Sequence, residues 1–158
     1  MGNKIVFTFF LLLFSVFLQA QENDSMYVQK DFLILFSTKS YTSALTTAKQ
    51  ADASMNIDLQ LRGLTENKES GLSFSKEVCQ EEDIEYPAYY ARGRWDDGVY
   101  ISIEYSNAYS GFAEDYYIVI VASGSKQDKE MQAAYKKLKS KYKDAYFKSS
   151  KVYMGCMH

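Results

Sequence analysis

Residues 31–37 read DFLILFS, and residues 117–123 read YIVIVAS. Each is a short, unbroken apolar run. Such a run suits a strand buried on both faces at the centre of a sheet. Each is followed by a helical pattern. After the first, Ser40 is placed to cap a helix in which Ala44, Leu45, Ala48, Ala51 and Met55 recur at helical spacing. After the second, Ser125 is placed as the cap and Asp128 in the first turn. Met131, Tyr135, Leu138 and Tyr142 then form one stripe, with Lys on most of the opposite face.

The first helix leads to Ile57, Leu59 and Leu61 alternating with polar residues, the pattern of a half-exposed strand ended by Gly63. The second leads to residues 145–148 and 151–156, two short strands about Ser149-Ser150. Two β-α-β units around one sheet predict an α+β fold of the ferredoxin-like, split β-α-β type, its sheet backed by two helices. Between the units, residues 64–87 open as a loop. Phe74, Val78 and Ile84 there suit one face of a short helix that Pro87 ends.

Residues 88–105, AYYARGRWDDGVYISIEY, predict an extra β-hairpin around Asp96-Asp97-Gly98. A three-residue loop pairs Arg94 with Tyr100, Arg92 with Ser102 and Tyr90 with Glu104. Trp95, Val99, Ile101, Ala91, Ile103, Tyr89 and Tyr105 then share the apolar face. A two-residue loop mixes the two sets, and a one-residue slip turns every side chain over. Tyr90, Arg92, Arg94, Tyr100, Ser102 and Glu104 therefore form an expected outward ligand-binding face. Aromatic rings beside guanidinium and carboxylate groups there suit a sugar chain or an acidic peptide.

The start of the chain predicts its compartment. Met1–Ala20 has Lys4 ahead of an apolar run from Ile5 to Leu18 and ends on Ala20, the form of a secretory signal. No Cys follows the run as a lipid acceptor. The expected organisation is a signal peptide at 1–20, a linker at 21–30 and one domain at 31–158, periplasmic or secreted, with no membrane span after cleavage. Loss of Lys4 leaves 17 basic and 20 acidic residues, a net of −3. An exported acidic protein is a poor match for nucleic acid. The charge is uneven: Glu77, Glu81, Glu82, Asp83 and Glu85 cluster, whereas residues 126–151 hold nine Lys and three acids.

The inventory argues against catalysis. The single His stands at position 158, which excludes His-built metal sites and leaves a His-based triad only a poor base at the last position. The Walker loop, G-x-G-x-x-G, G-x-S-x-G and C-x-x-C patterns are all missing from the sequence. No cofactor and no metal are expected. Cys79 and Cys156 are open to two readings, one disulfide worth about 3–4 kcal/mol or two separate buried thiols. Of fourteen Tyr, eight lie between residues 86 and 117, in and around the expected hairpin.

Residues 116–156 resemble the SPOR (sporulation-related repeat) family of bacterial envelope domains. Tyr116 to Ser123 matches that family's first strand, and Ala133 to Leu138 lies in its Lys- and Ala-rich helix. Ala145-Tyr146 matches the second strand, and Val152-Tyr153-Met154-Gly155 the third. Two features depart from the family. Its second helix and last strand would follow Gly155, and its first strand often carries polar residues where this chain has Ile118 and Ile120. The resemblance implies a non-catalytic module that binds peptidoglycan glycan strands, or an envelope protein, on its sheet face. The other expectation is an interaction or inhibitor protein that pairs through an exposed strand edge and binds no glycan.

Overall fold

The computed structural model describes residues 26–155. The expected signal peptide lies outside the described residues, as does Cys156. The chain forms an α+β fold around one four-stranded antiparallel sheet. Strand β1 (Tyr27–Thr38) leads to helix α1 (Tyr41–Met55). A small hairpin, β2 (Thr65–Asn67) and β3 (Gly71–Ser73), precedes the short helix α2 (Lys76–Glu81). Then come β4 (Gly98–Tyr105), β5 (Tyr117–Gly124), α3 (Lys129–Lys141) and β6 (Tyr146–Tyr153). The order across the sheet is β4-β5-β1-β6.

The two apolar runs are the two central strands, and their side chains divide between the faces. Leu33, Leu35, Val119 and Val121 pack with Ala44, Ala48, Ala51, Met55, Met131 and Leu138 of the helices. Phe32, Ile34, Ile118 and Ile120 pack on the other side with Tyr109 and Val152. Burial on both faces is why neither run alternates with polar residues. Helix α1 starts where expected: Ser40 Oγ accepts from Ser43 N at 3.2 Å. A cap of this kind contributes about 1 kcal/mol. In α3 the N-cap is Asp128 rather than Ser125, and Asp128 Oδ2 accepts from Ser125 N at 3.4 Å.

Several boundaries differ from the sequence reading. Residues 27–30 are part of β1, paired with β6 from Tyr27↔Tyr153 to Lys30↔Ser150, and are not linker. Residues 57–61 form no strand. Leu59 makes a single parallel bridge to Ile101, with Gln60 N donating to Ile101 O and Ile101 N to Asp58 O, each at 2.8 Å. This short contact closes the outer edge of β4. The two C-terminal strands are one: Ser149 and Ser150 continue the ladder opposite Asp31 and Lys30, and their hydroxyls donate to Asp31 and to Ser110 O.

The largest correction is the hairpin. Residues 88–97 are not a strand, and β4 pairs with β5 instead. The segment 88–97 folds over the sheet face opposite the helices. Gly93 lies against Phe32 with φ +95°, and a Cβ there would sit 3.1 Å from the Phe32 ring. Only glycine combines that conformation with that approach. The sheet therefore has a helical layer on one side and a cover on the other, the second built from residues 88–97 and the Tyr109–Phe112 loop.

Candidate functional site

All three Arg of the chain, set against fifteen Lys, meet at the cover. Arg92 is fully buried. Its Nε donates to Ser123 Oγ at 3.1 Å. Its Nη1 donates to Tyr100 O at 2.8 Å, Ser102 Oγ at 3.0 Å and Ile120 O at 3.2 Å, and its Nη2 donates to Gly98 O at 2.9 Å. The guanidinium also stacks 3.5 Å from the centre of the Tyr100 ring. The β4–β5 register shifts between Val99 and Ser102, and the carbonyl of Tyr100 lies in that interval. Arg92 thus supplies donors where the ladder is irregular.

Glu104, also fully buried, accepts from Arg62 Nη1 at 2.8 Å, from Arg92 N at 3.3 Å and from Tyr109 OH at 3.1 Å. Arg62 Nη2 donates to Tyr90 O at 2.8 Å and stands 3.2 Å from Asp96 Oδ2. Asp96 Oδ1 accepts from Gly93 N, and Tyr100 OH bonds its other carboxylate oxygen at 3.0 Å. Arg62, Arg92, Asp96 and Glu104 thus place two positive and two negative charges in one network. Burial alone would lower Arg62, but Glu104 and Asp96 more than offset it and raise it above its ordinary range. Burial pulls Arg92 below its ordinary value, against the attraction of Tyr100 and Glu104.

The six residues of the expected ligand face do come together, but not on an open surface. Arg92, Ser102 and Glu104 are fully buried, and Tyr100 and Arg94 are buried. Tyr90 is half-buried. Tyr100 therefore does not face outward, because the segment expected to pair beside β4 lies over it. Trp95, expected on the apolar face, is instead 74% exposed. Arg62, Asp96, Tyr109 and Ser123 were not among the expected residues. The available signal was compositional: a chain so rich in Lys reserves its few Arg for planar, multiply bonded sites.

On the outer side of the cover, the Arg94 guanidinium lies 4.4 Å from the Trp95 ring and 5.0 Å from the Tyr90 ring. Tyr90 in turn packs edge-on against Phe74 at 5.7 Å. The result is a row, Phe74–Tyr90–Arg94–Trp95, whose last member projects into solvent. Cys79 is a buried free thiol, its Sγ 3.9 Å from Ala88 O. Among the described residues no cluster of His, Cys, Asp or Glu is arranged to hold a metal ion, and no helix is long and apolar enough to cross a membrane.

The tyrosines give the fold an alkaline limit. Burial pushes Tyr100 up to about 12, and burial with the nearby Glu66 pushes Tyr117 up to about 12. Burial and Glu104 raise Tyr89 and Tyr109 further. Each holds its proton more tightly folded than unfolded, where the value is about 10. Their contribution is thus fully present below pH 10 and is lost as pH rises through about 12. In an alkaline titration, a late fraction of tyrosinate absorbance should rise together with loss of near-ultraviolet circular dichroism. Ionisation of every Tyr near pH 10 with the fold intact would contradict this.

Compared with known protein families, characterised proteins and solved structures, the chain matches none.

Proposed function

We propose that this is an exported, non-catalytic binding protein of the cell envelope or the secreted fraction, and that a protein partner meets it on the outer surface of the cover. The observation that carries the reading is Trp95. It is a large aromatic side chain, 74% exposed, on a segment whose backbone is fixed from below by Arg92, Gly93 and Arg62. Trp, Tyr and Arg are the residues that dominate binding energy at protein interfaces, and a rigid anchor loses little entropy on binding. The signal-like start supports export. The non-catalytic reading is supported by the network beneath the cover, where Arg92 and Glu104 are fully buried and the ionisable groups are taken up by hydrogen bonds within the protein.

We read the fold as ferredoxin-like. With β5 between them, β1 and β4 run parallel and enclose α1. With β1 between them, β5 and β6 run parallel and enclose α3. That interleaving supports the split β-α-β reading. The peptidoglycan reading is a second proposal, supported by the exposed aromatic row. A glycan strand would then meet Trp95 and Tyr90 on the cover, since the sheet face beneath is filled.

A benzophenone amino acid replacing Trp95 should crosslink a discrete envelope protein in cells, and the crosslink should fall when unlabelled full chain competes. The same group replacing exposed Lys137 on α3 should not crosslink it. Equal crosslinking from both positions, or none from position 95, would overturn the cover as the interface. Retention on purified peptidoglycan that disappears in Trp95→Ala would replace the protein partner with glycan.

A further inference from the structure

Arg94 differs from the other two Arg of the cover. Arg62 has two carboxylates and Arg92 has five oxygen acceptors. Arg94 is only 5% exposed, and its Nε–H has no acceptor among the described residues. Its Nη2 donates to Gly155 O at 2.5 Å, and its other close neighbours are the faces of Tyr90 and Trp95. Rings favour the positive charge but do not replace an in-plane oxygen acceptor. The nearby acids are committed: Asp96 and Glu104 to Arg62, and Asp97 to Lys30. A buried guanidinium with an unmet donor and, among the described residues, no acid is an incomplete pair.

We propose that Arg94 is completed by a carboxylate from an acidic segment of the partner protein, with Trp95 packing against the apolar side chain next to that acid. This rests on the cover being the interface. A planar guanidinium edge matches a carboxylate. One unpaired cation balances one carboxylate, whereas phosphate carries nearly two charges and is usually read by Arg clusters. Trp95 stacks on the guanidinium and is itself largely in solvent. The backbone beneath is held by Asp96, Glu104 and Arg62, so the side chains of Trp95 and Arg94 are the parts that would adjust to admit the carboxylate.

Trp95 is the chain's only Trp, so its fluorescence reports directly on this place. The probes are the blocked peptides acetyl-Leu-Glu-Leu-amide and acetyl-Leu-Gln-Leu-amide, titrated into the full chain. The Glu peptide should shift or quench the emission saturably, with an affinity at least about tenfold above the Gln peptide. Added salt should erode that preference. Arg94→Gln should abolish it, and the wild-type comparison decides the matter even if that variant folds poorly. No response to either peptide, or an equal response to both, overturns the assignment. So does a response to polygalacturonate alone, which would make the ligand a glycan acid. Crosslinking at position 95 that persists without any Glu preference would remove this inference and leave the interface standing.

Discussion

Arg92→Met should lower the free energy of unfolding by about 3–5 kcal/mol, the range for stripping one member from a buried, charge-assisted network. Met keeps an unbranched, apolar stem in place of the Arg stem, so the loss reads chiefly the missing donors. Five oxygens lose a donor. Ser102 and Ser123 can turn their hydroxyls to other partners, but the carbonyls of Gly98, Tyr100 and Ile120 cannot turn. Each buried carbonyl left unmet costs about 1–3 kcal/mol. Arg92→Lys should recover only a small part, because one ammonium cannot span acceptors that three guanidinium nitrogens now share. Urea unfolding followed by far-ultraviolet circular dichroism measures both. A midpoint for Arg92→Met within error of wild type would show that water or local shifts satisfy the carbonyls. The Trp95 emission of Arg92→Met should also change below the unfolding transition, since the cover loses its anchor before the sheet melts.

The same side chain marks where the sequence stops being legible. The central strands can be read because they are buried on both faces, and an unbroken apolar run bounded by polar residues suits little else. Helices α1 and α3 can be read because Ala44, Ala48 and Ala51, and Met131 and Leu138, keep helical spacing on one face. Residues 88–97 mislead for a specific reason. The alternation Tyr90, Arg92, Arg94 is a polar face only if polar groups seek water. Here Arg92 finds Gly98, Tyr100, Ser102, Ile120 and Ser123, and Glu104 finds Arg62 and Tyr109. Those partners are up to 42 residues away in sequence, as Arg62 is from Glu104, so no local period encodes them. The expected pairing of Arg92 with Ser102 did identify true neighbours. It failed on the layer, because a segment lying over a strand and a segment lying beside it can bring the same residues together. The half-exposed strand at 57–61 failed for a related reason: alternation specifies two faces but not a ladder partner, and only Leu59 finds one.

Glu104→Ala should cost about 3–5 kcal/mol and Arg62→Ala less, because Arg62 is partly exposed and its charge can reach water. Removing Glu104 leaves the Arg62 guanidinium, the Arg92 amide and the Tyr109 hydroxyl without their common buried acceptor. Arg92 also loses the carboxylate whose attraction opposes its desolvation. The informative variant is the pair Arg62→Met with Glu104→Met. If the ion pair itself holds the cover, the losses in the single variants Arg62→Met and Glu104→Met should be far from additive, and the double variant should be more stable than Glu104→Met by about 1–3 kcal/mol. Two apolar side chains would fill the space, while Arg92 keeps its oxygen acceptors and the part-exposed Asp96 reaches water. The double variant should still give a folded sheet, because the helix-side core does not include either residue. Its cover, lacking the Arg62 contacts to Tyr90 O and Asp96, should show faster amide exchange at residues 88–97 than at β5. Additive losses with unchanged exchange would mean that Arg92 and Gly93 position Trp95 without the ion pair. The network would then be a stability element beneath the binding surface rather than the device that makes it rigid.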